Sequence, residues 1–378
     1  MPIPVHRILR TIARGLAVAL CLLAFSRAEA QALIKVNDSI NFKVGILLQP
    51  QLDFQELRNA TNDGTGGYQQ NLFIRRTRLL IGGQVAKNVF FFAETENSTL
   101  GKSTQTVAGG AGGKALAAGF NLLDAVGEWR IAKEFNIQVG EIRAPISREG
   151  LKSSPTQFML DLSAYAFLTS APLQNNAGRD TGVMFRGYFL CDRLEYRSAI
   201  FSGLRQPGVK NSPRFVERLQ YNFFDTEVYN FVSYAGSYLG TKKILSVGGG
   251  YDTQGDYRYA SADLYLDWPI PLGSFESTIQ YQYANGRNFI TSLPEESTFQ
   301  IEAGVFLKAL KIAPIARYEQ KTFTADINTP RNESRVALGL NYYISGHNAN
   351  LKVWWQRVAL KTGYATNQFT FQMQGYYF

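Results

Sequence analysis

Residues Phe369-Thr-Phe-Gln-Met-Gln-Gly-Tyr-Tyr-Phe378 read as one β-strand with two unlike faces. Phe369, Phe371 and Met373 share one face, and Gln372 and Gln374 occupy the other. Transmembrane barrels alternate apolar lipid-facing residues with polar lumen-facing ones in this way, and aromatic girdles mark their interfaces. Tyr376 and Phe378 fall out of phase. A bulge at Gly375 would restore the phase, because one extra residue flips the alternation after it. Phe378 would then face lipid at the periplasmic rim. A soluble edge strand carries the same local pattern, so repetition along the chain decides between them.

The pattern repeats from Asn41 onward. Phe42, Val44, Ile46, Leu48, Leu52 and Phe54 alternate with Lys43, Gly45, Gln49, Gln51, Asp53 and Gln55. Such alternation is weak in one segment and strong in many. Seventeen segments qualify, but two periplasmic ends require an even number. Thr226–Tyr238 is the weakest, with Phe231 and Val232 adjacent, and Phe224–Lys242 is read instead as an unusually long periplasmic connection. Sixteen strands then lie near 41–55, 71–85, 88–97, 120–132, 135–143, 181–190, 194–203, 214–223, 243–252, 257–267, 275–285, 297–308, 311–321, 334–344, 349–358 and 367–378. Connections alternate between short, as at Ala86–Asn88, and long, as at Ala144–Asp180. That is the turn-and-loop asymmetry of outer-membrane barrels. The fold class is therefore all-β, a transmembrane antiparallel barrel of about 16 strands, with its long third loop folded into the lumen. A barrel this wide encloses an aqueous channel.

Composition agrees. Charged residues make up 18% of the 378, aromatics 13%, and there are 34 glycines, a profile with fewer charges than a soluble domain carries. Residues 1–30 read as a cleaved signal peptide, with Arg7, Arg10 and Arg14 ahead of the apolar run Leu16–Phe25 and a small-x-small site at Ala28-Glu29-Ala30. Residues 31–40 follow as a short periplasmic segment and 41–378 as the barrel. Cleavage takes a net +3 from the formal +9 and leaves +6. Positive charge on an exported chain points to small anionic solutes or lipid headgroups as partners. Nucleic acid fits poorly, because no basic run or basic helix stands out. Cys191 is the only cysteine beyond residue 30, so no intrachain disulfide forms there, and it reads as a buried or turn residue. No stretch after residue 30 holds 18 consecutive apolar residues, so a closed barrel is the expected route into a membrane.

Little points to catalysis, and the chain is read as a non-enzyme without cofactor or metal. His347, in the turn Ser345-Gly-His-Asn-Ala349, is the only histidine beyond residue 30 and reads as a solvated turn residue. A barrel enzyme needs a base within an ordered constellation. No Cys/His/Asp group has metal-ligand spacing. The stretch Ala108–Ala115 lacks the first glycine and the Ser/Thr of a phosphate-cradling loop. An adhesin or receptor using loops 58–70 and 98–119, or a barrel enzyme, is the alternative reading. Two basic groups suit a pore. Arg76 and Arg78 share one strand face, which should be lumenal because a charge at the lipid midplane costs about 2–4 kcal/mol; Arg75 should then sit near an interface or subunit contact. Arg143, Arg148 and Lys152 open the long connection 144–180. There they either ring a constriction that favours anions or pin the loop through Glu141, Glu149 and Asp161.

The segments Phe73-Ile-Arg-Arg-Thr-Arg-Leu79, Leu123-Asp124-Ala125, Val139-Gly-Glu-Ile-Arg-Ala-Pro-Ile-Ser147, Leu151-Lys-Ser-Ser154, Asn176-Ala-Gly-Arg-Asp-Thr-Gly-Val-Met184 and Leu338-Gly-Leu-Asn-Tyr-Tyr343 resemble, in order and spacing, the phosphate-selective porin O and P family. The resemblance implies a sixteen-stranded homotrimeric porin of the bacterial outer membrane, with an inward-folded third loop. Arg76, Arg78, Arg143, Arg148, Lys152, Ser153, Ser154 and Arg179 are the candidate pore and anion contacts, and phosphate or polyphosphate a candidate solute. The family's arginine ladder is not reproduced: Arg76/Arg78 is the one Arg-x-Arg among the candidates, and Arg317, Arg335 and Arg357 are scattered.

Overall fold

Along the closing strand, Phe369 and Phe371 are exposed, while Thr370, Gln372 and Gln374 are buried. This inversion of the soluble pattern runs through the whole sheet. Ile46 and Leu48 are exposed beside buried Gln49, Gln51 and Asp53, and Leu338 and Leu340 are exposed beside buried Asn341. Apolar side chains outside and polar ones inside suit a protein whose solvent is lipid. The structure is a computed structural model. It describes residues 33–37, 39–59, 65–116, 119–205, 212–228 and 231–378. The signal-peptide and cleavage-site expectations fall on residues outside these.

The strands are β1 (Leu33–Asn37), β2 (Ile40–Arg58), β3 (Thr65–Ala86), β4 (Val89–Leu100), β5 (Asn121–Ala132) and β6 (Phe135–Arg143). They continue with β7 (Arg179–Phe189), β8 (Leu194–Phe201), β9 (Arg214–Asn222), β10 (Ile244–Gln254), β11 (Tyr257–Ile270) and β12 (Gly273–Asn285). The last are β13 (Glu296–Leu307), β14 (Ile312–Phe323), β15 (Glu333–Ser345), β16 (Ala349–Leu360) and β17 (Ala365–Tyr377). Each strand from β2 to β17 pairs antiparallel with its sequence neighbours, and β17 pairs with β2 from Gln368↔Gln55 to Tyr377↔Ile46. The ring of sixteen is thus closed and leaves no edge, as a lipid environment demands. All sixteen expected strands appear. Short β1 adds a hairpin to β2.

The alternation of turns and loops holds with three exceptions. The β10–β11 and β16–β17 turns are short although they lie at the long-loop rim, and residues 223–243 form a long connection at the short-turn rim. Among the described residues of 223–243 no strand forms. Instead its side chains reach inward. Glu227, Tyr234 and Ser237 are buried, and the Tyr234 hydroxyl donates to Glu195 Oε2 on β8 at 2.7 Å. Cys191 sits exposed in the β7–β8 turn with φ +54°.

Two expectations for the closing strand are corrected. β17 keeps unbroken register with both neighbours through Gly375, so there is no bulge there. The phase is therefore unchanged, and Tyr376 and Phe378 fall on the inward row with Gln372 and Gln374. They pack on Leu47, Leu80 and Phe92 together with Phe231 and Val232 of the 223–243 connection. The Phe378 ring meets Phe92 edge-on at 5.7 Å. An apolar pocket inside the short-turn rim, closed by 223–243, takes the place of lipid.

Residues 144–178 connect β6 to β7. Arg148–Leu151 form a helical turn, α1, capped by Ser147, whose hydroxyl accepts from the Gly150 N–H at 3.1 Å. From there the chain meets inward-facing groups of strand after strand. The Arg148 N–H donates to Asp263 on β11 (3.1 Å), and the Glu149 N–H to Gln280 on β12 (3.1 Å). Lys152 pairs with Glu302 on β13, and Asn341 on β15 donates to the Phe158 carbonyl (2.6 Å). Lys352 on β16 donates to the Gln157 and Met159 carbonyls (2.7 and 2.6 Å). Glycine makes the approach possible: a Cβ at Gly250 on β10 would lie 1.9 Å from the Ile146 carbonyl oxygen.

Candidate functional site

The segment 144–178 leaves space beside β2–β4 and β14–β17. One cavity of about 430 Å³ is lined by Arg75, Arg76, Lys102, Arg317 and Arg335, with Asp161 and Glu319. A second, of about 220 Å³, is lined by Arg75, Arg76, Arg78, Arg143 and Arg179, with Glu96. Arg75, Arg76, Leu162 and Phe167 border both, so the two form one basic strip.

The strip starts from a local irregularity in β3. Gln49 pairs with Arg76 and Pro50 with Ile74, so Arg75 is the extra residue of a β-bulge. Pro50 has no N–H to contribute to the ladder, and prolines sit at such breaks. The bulge brings two successive arginines to the same side: Arg75 Nε donates to Asp161 Oδ2 at 2.8 Å, and Arg76 pairs with Asp161 Oδ1. This corrects the expectation that Arg75 lies at an interface. Strict alternation would have sent it outward, and one inserted residue turns it in. Burial works against the Asp161 charge, but Arg75 and Arg76 outweigh it and hold the carboxyl well below the usual carboxylate range.

The other expected residues divide into two groups. Arg76, Arg78, Arg143, Ser154 and Arg179 line the strip. Arg78 pairs with Glu94 at 2.6 Å and Arg179 with Asp124 at 2.9 Å, while Arg143 donates to the Lys152 carbonyl at 3.0 Å. Arg148, Lys152 and Ser153 line neither cavity. Arg148 makes a bidentate pair with Glu227 (2.7 and 2.8 Å) and lies 3.6 Å over the Tyr265 ring. Burial disfavours its charge, yet Glu227 holds the guanidinium well above its ordinary pKa. Lys152 bonds Glu149 at 2.8 Å as well as Glu302. The Ser153 N–H donates to the Tyr234 carbonyl at 2.8 Å. These three tie 144–178 to the wall and to 223–243.

Arg317 and Arg335 look scattered in sequence because β14 and β15 bring them to the strip from about 240 residues beyond β3. Lys102 was not singled out at all. Arg317 donates to the Asp161 carbonyl at 2.6 Å and Arg335 pairs with Glu333 at 3.0 Å. Arg357 is exposed and lines neither cavity. His347 lies in its turn but is partly buried: its Nε2 donates to the Ser237 carbonyl at 3.1 Å, and its ring meets Tyr343 edge-on. Burial, with Lys352 nearby, pushes its pKa down to about 4. Among the described residues no group of three or more His, Cys, Asp or Glu could hold a metal ion.

Lys102 and Arg335 stand in front of their partners, whereas at Arg75 and Arg76 the shared partner Asp161 is the more exposed member. The Lys102 side chain is 28% exposed and its partner Asp53 0%; Arg335 is 25% exposed and Glu333 15%. The strip thus presents positive ends to the open lumen at Lys102 and Arg335 although its charges are paired. Residues 44–190, which carry the bulge and most of the strip, match the family model of phosphate-selective porin O and P. Over that stretch the chain is similar to this porin family. A protein of Aquifex aeolicus (strain VF5) described as uncharacterized is 24% identical over 356 residues, covering 85% of this chain and 84% of its own length. Salmonella typhi OmpF, solved in complex with daunomycin, superposes with TM-score 0.60 at 12% identity, covering 91% of this chain and all of OmpF. The anion-selective porin from Comamonas acidovorans superposes with TM-score 0.54 at 10% identity, covering 89% and 99%. At these identities the solved structures speak for the fold alone. The barrel is that of a channel of the bacterial outer membrane.

Proposed function

We propose that this porin passes small solutes by passive diffusion with a mild preference for anions. The observation that carries the reading is the strip itself: Arg75, Arg76, Lys102, Arg317 and Arg335 around one open cavity, against Asp161 and Glu319. Positive charge at a narrowing of the lumen raises the local concentration of anions. The segment 144–178, held to the wall by Arg148 and Lys152, sets the width, and the strip sets the field. Because each base has an acidic partner, the field is partial, and a modest selectivity follows. Adjacent guanidinium groups on Arg75 and Arg76 suit the paired oxygens of phosphate-like oxyanions, which supports these as candidate solutes. The homotrimer implied by the resemblance belongs to the same reading.

Planar-bilayer recordings test it. Charge reversal at Arg75 and Arg335 should move the reversal potential toward cations, and phosphate should reduce chloride current through the unaltered channel. An unmoved reversal potential in the reversed variants would remove the strip as the source of selectivity.

A further inference from the structure

Asp267 on β11 and Glu276 on β12 are direct cross-strand partners, and both side chains point inward near the short-turn rim. Asp267 is 0% exposed and Glu276 2%. Like charges opposite one another destabilise a sheet, and burying an uncompensated charge costs several kcal/mol. Among the described residues neither carboxylate has an ion-pair partner. Both oxygens of Glu276 and Oδ1 of Asp267 lack a hydrogen-bond donor. The nearest bases are committed elsewhere: Arg148 to Glu227, Lys152 to Glu149 and Glu302, and Lys352 to two backbone carbonyls.

A second observation points the same way. Ser274, two residues before Glu276 on the same inward row, is 1% exposed, and its hydroxyl has no partner either. The Ser237 hydroxyl, from the 223–243 connection, lies within hydrogen-bonding reach of Glu276 and accepts the Leu239 N–H at 3.1 Å. Three carboxylate oxygens and the Ser274 hydroxyl are therefore buried without a partner, with the Ser237 hydroxyl beside Glu276. Oxygen donors in a mixed carboxylate and hydroxyl set are the choice of hard divalent cations.

We propose that Asp267 and Glu276, assisted by Ser237 and Ser274, bind a divalent cation of the Ca²⁺ class inside the short-turn end of the lumen. The ion neutralises the two carboxylates and fastens 223–243 to the wall. Asp267 already holds that connection through its other oxygen, Oδ2, which accepts the Tyr238 N–H at 2.7 Å. Tyr265 donates to the Gly236 carbonyl at 3.2 Å in the same place.

Terbium(III) is the probe. It replaces Ca²⁺ at oxygen sites, and Tyr265 would sensitise its emission. The full-length protein in detergent should give saturable tyrosine-sensitised emission that Ca²⁺ displaces. Glu276→Gln and Ser274→Ala should each weaken binding, Glu276→Gln by about tenfold or more. Asp267→Asn also removes part of the tie to Tyr238, so variants are compared only where the heat-modifiable gel shift shows a folded barrel; Ser274→Ala changes one buried hydroxyl and keeps the comparison available. Two results would overturn the proposal. One is emission that is absent or that Ca²⁺ does not displace. The other is emission unchanged in both Glu276→Gln and Ser274→Ala, which would mean that Glu276 is kept neutral by a proton.

Discussion

Replacing Glu227 with Gln should loosen the lumenal segments while leaving the barrel closed. Glu227 is buried, and it accepts two hydrogen bonds from Arg148, one from Gln220 (3.0 Å) and one from the Tyr238 hydroxyl (2.8 Å). Removing one member of a buried pair and leaving the other charged costs about 3–5 kcal/mol. Gln keeps one acceptor, and Arg148 keeps its contact with the Tyr265 ring, so the lower end applies: about 3 kcal/mol, or roughly a hundredfold in the docking equilibrium of 144–178 on 223–243. The sixteen-strand ladder takes no part in this pair, so heat-modifiable migration should be unchanged. Hydrogen exchange of both segments should rise by about that factor, and single-channel records should gain low-frequency noise. The double variant Arg148→Met/Glu227→Leu should recover most of the protection, because an apolar pair of similar volume is close to neutral. Unchanged exchange in Glu227→Gln, or a double variant worse than the single, would refute the reasoning.

Three further outcomes are expected. Arg75→Glu changes two units of charge beside the cavity; at about 8 Å in water that is near 1 kcal/mol, roughly fivefold in the chloride-to-potassium permeability ratio at low salt, shrinking toward 1 M KCl where the Debye length is about 3 Å. His347 is held neutral, with a folded pKa of about 4 against an ordinary 6.5, so its contribution is complete above pH 6.5 and is lost as pH falls toward 4. At most about 3 kcal/mol is at stake. Lys352 and the Tyr343 ring are the groups facing it. Hydrogen exchange at 231–243 should therefore increase on acidification, and less so in His347→Gln. Gly250→Val places a side chain against the Ile146 carbonyl and should weaken the docking of 144–178 by about 1–3 kcal/mol, measured by limited proteolysis of that segment.

The barrel was legible because its signal is local and repeated. Alternation of period two needs only a strand's own residues, and sixteen strands supply it many times over. Failures came where one residue or a distant partner decides. The Arg75 bulge depends on Pro50 across the β2–β3 pair, and nothing in Phe73–Leu79 alone announces it. At the closing strand, Gly375 invited a bulge, but the Phe92–Phe231 pocket that receives Phe378 is assembled from three remote parts of the chain. Thr226–Tyr238 was recognised as no strand, yet its inward path rests on Glu227 meeting Arg148, 79 positions away. That pairing makes Arg148 pin the loop, as Glu149 and Glu302 do for Lys152, while Arg317 and Arg335, apart in sequence, meet at the open cavity.

The reversal potential of the unaltered channel in a KCl gradient tests the central claim most directly. Purified protein in a planar bilayer, with dilute KCl on one side and concentrated KCl on the other, should give a potential of the sign set by chloride passing faster than potassium. Its magnitude should fall as both concentrations are raised. A potential of the cation-selective sign, or one near zero at low salt, would contradict the account of a basic strip that governs passage.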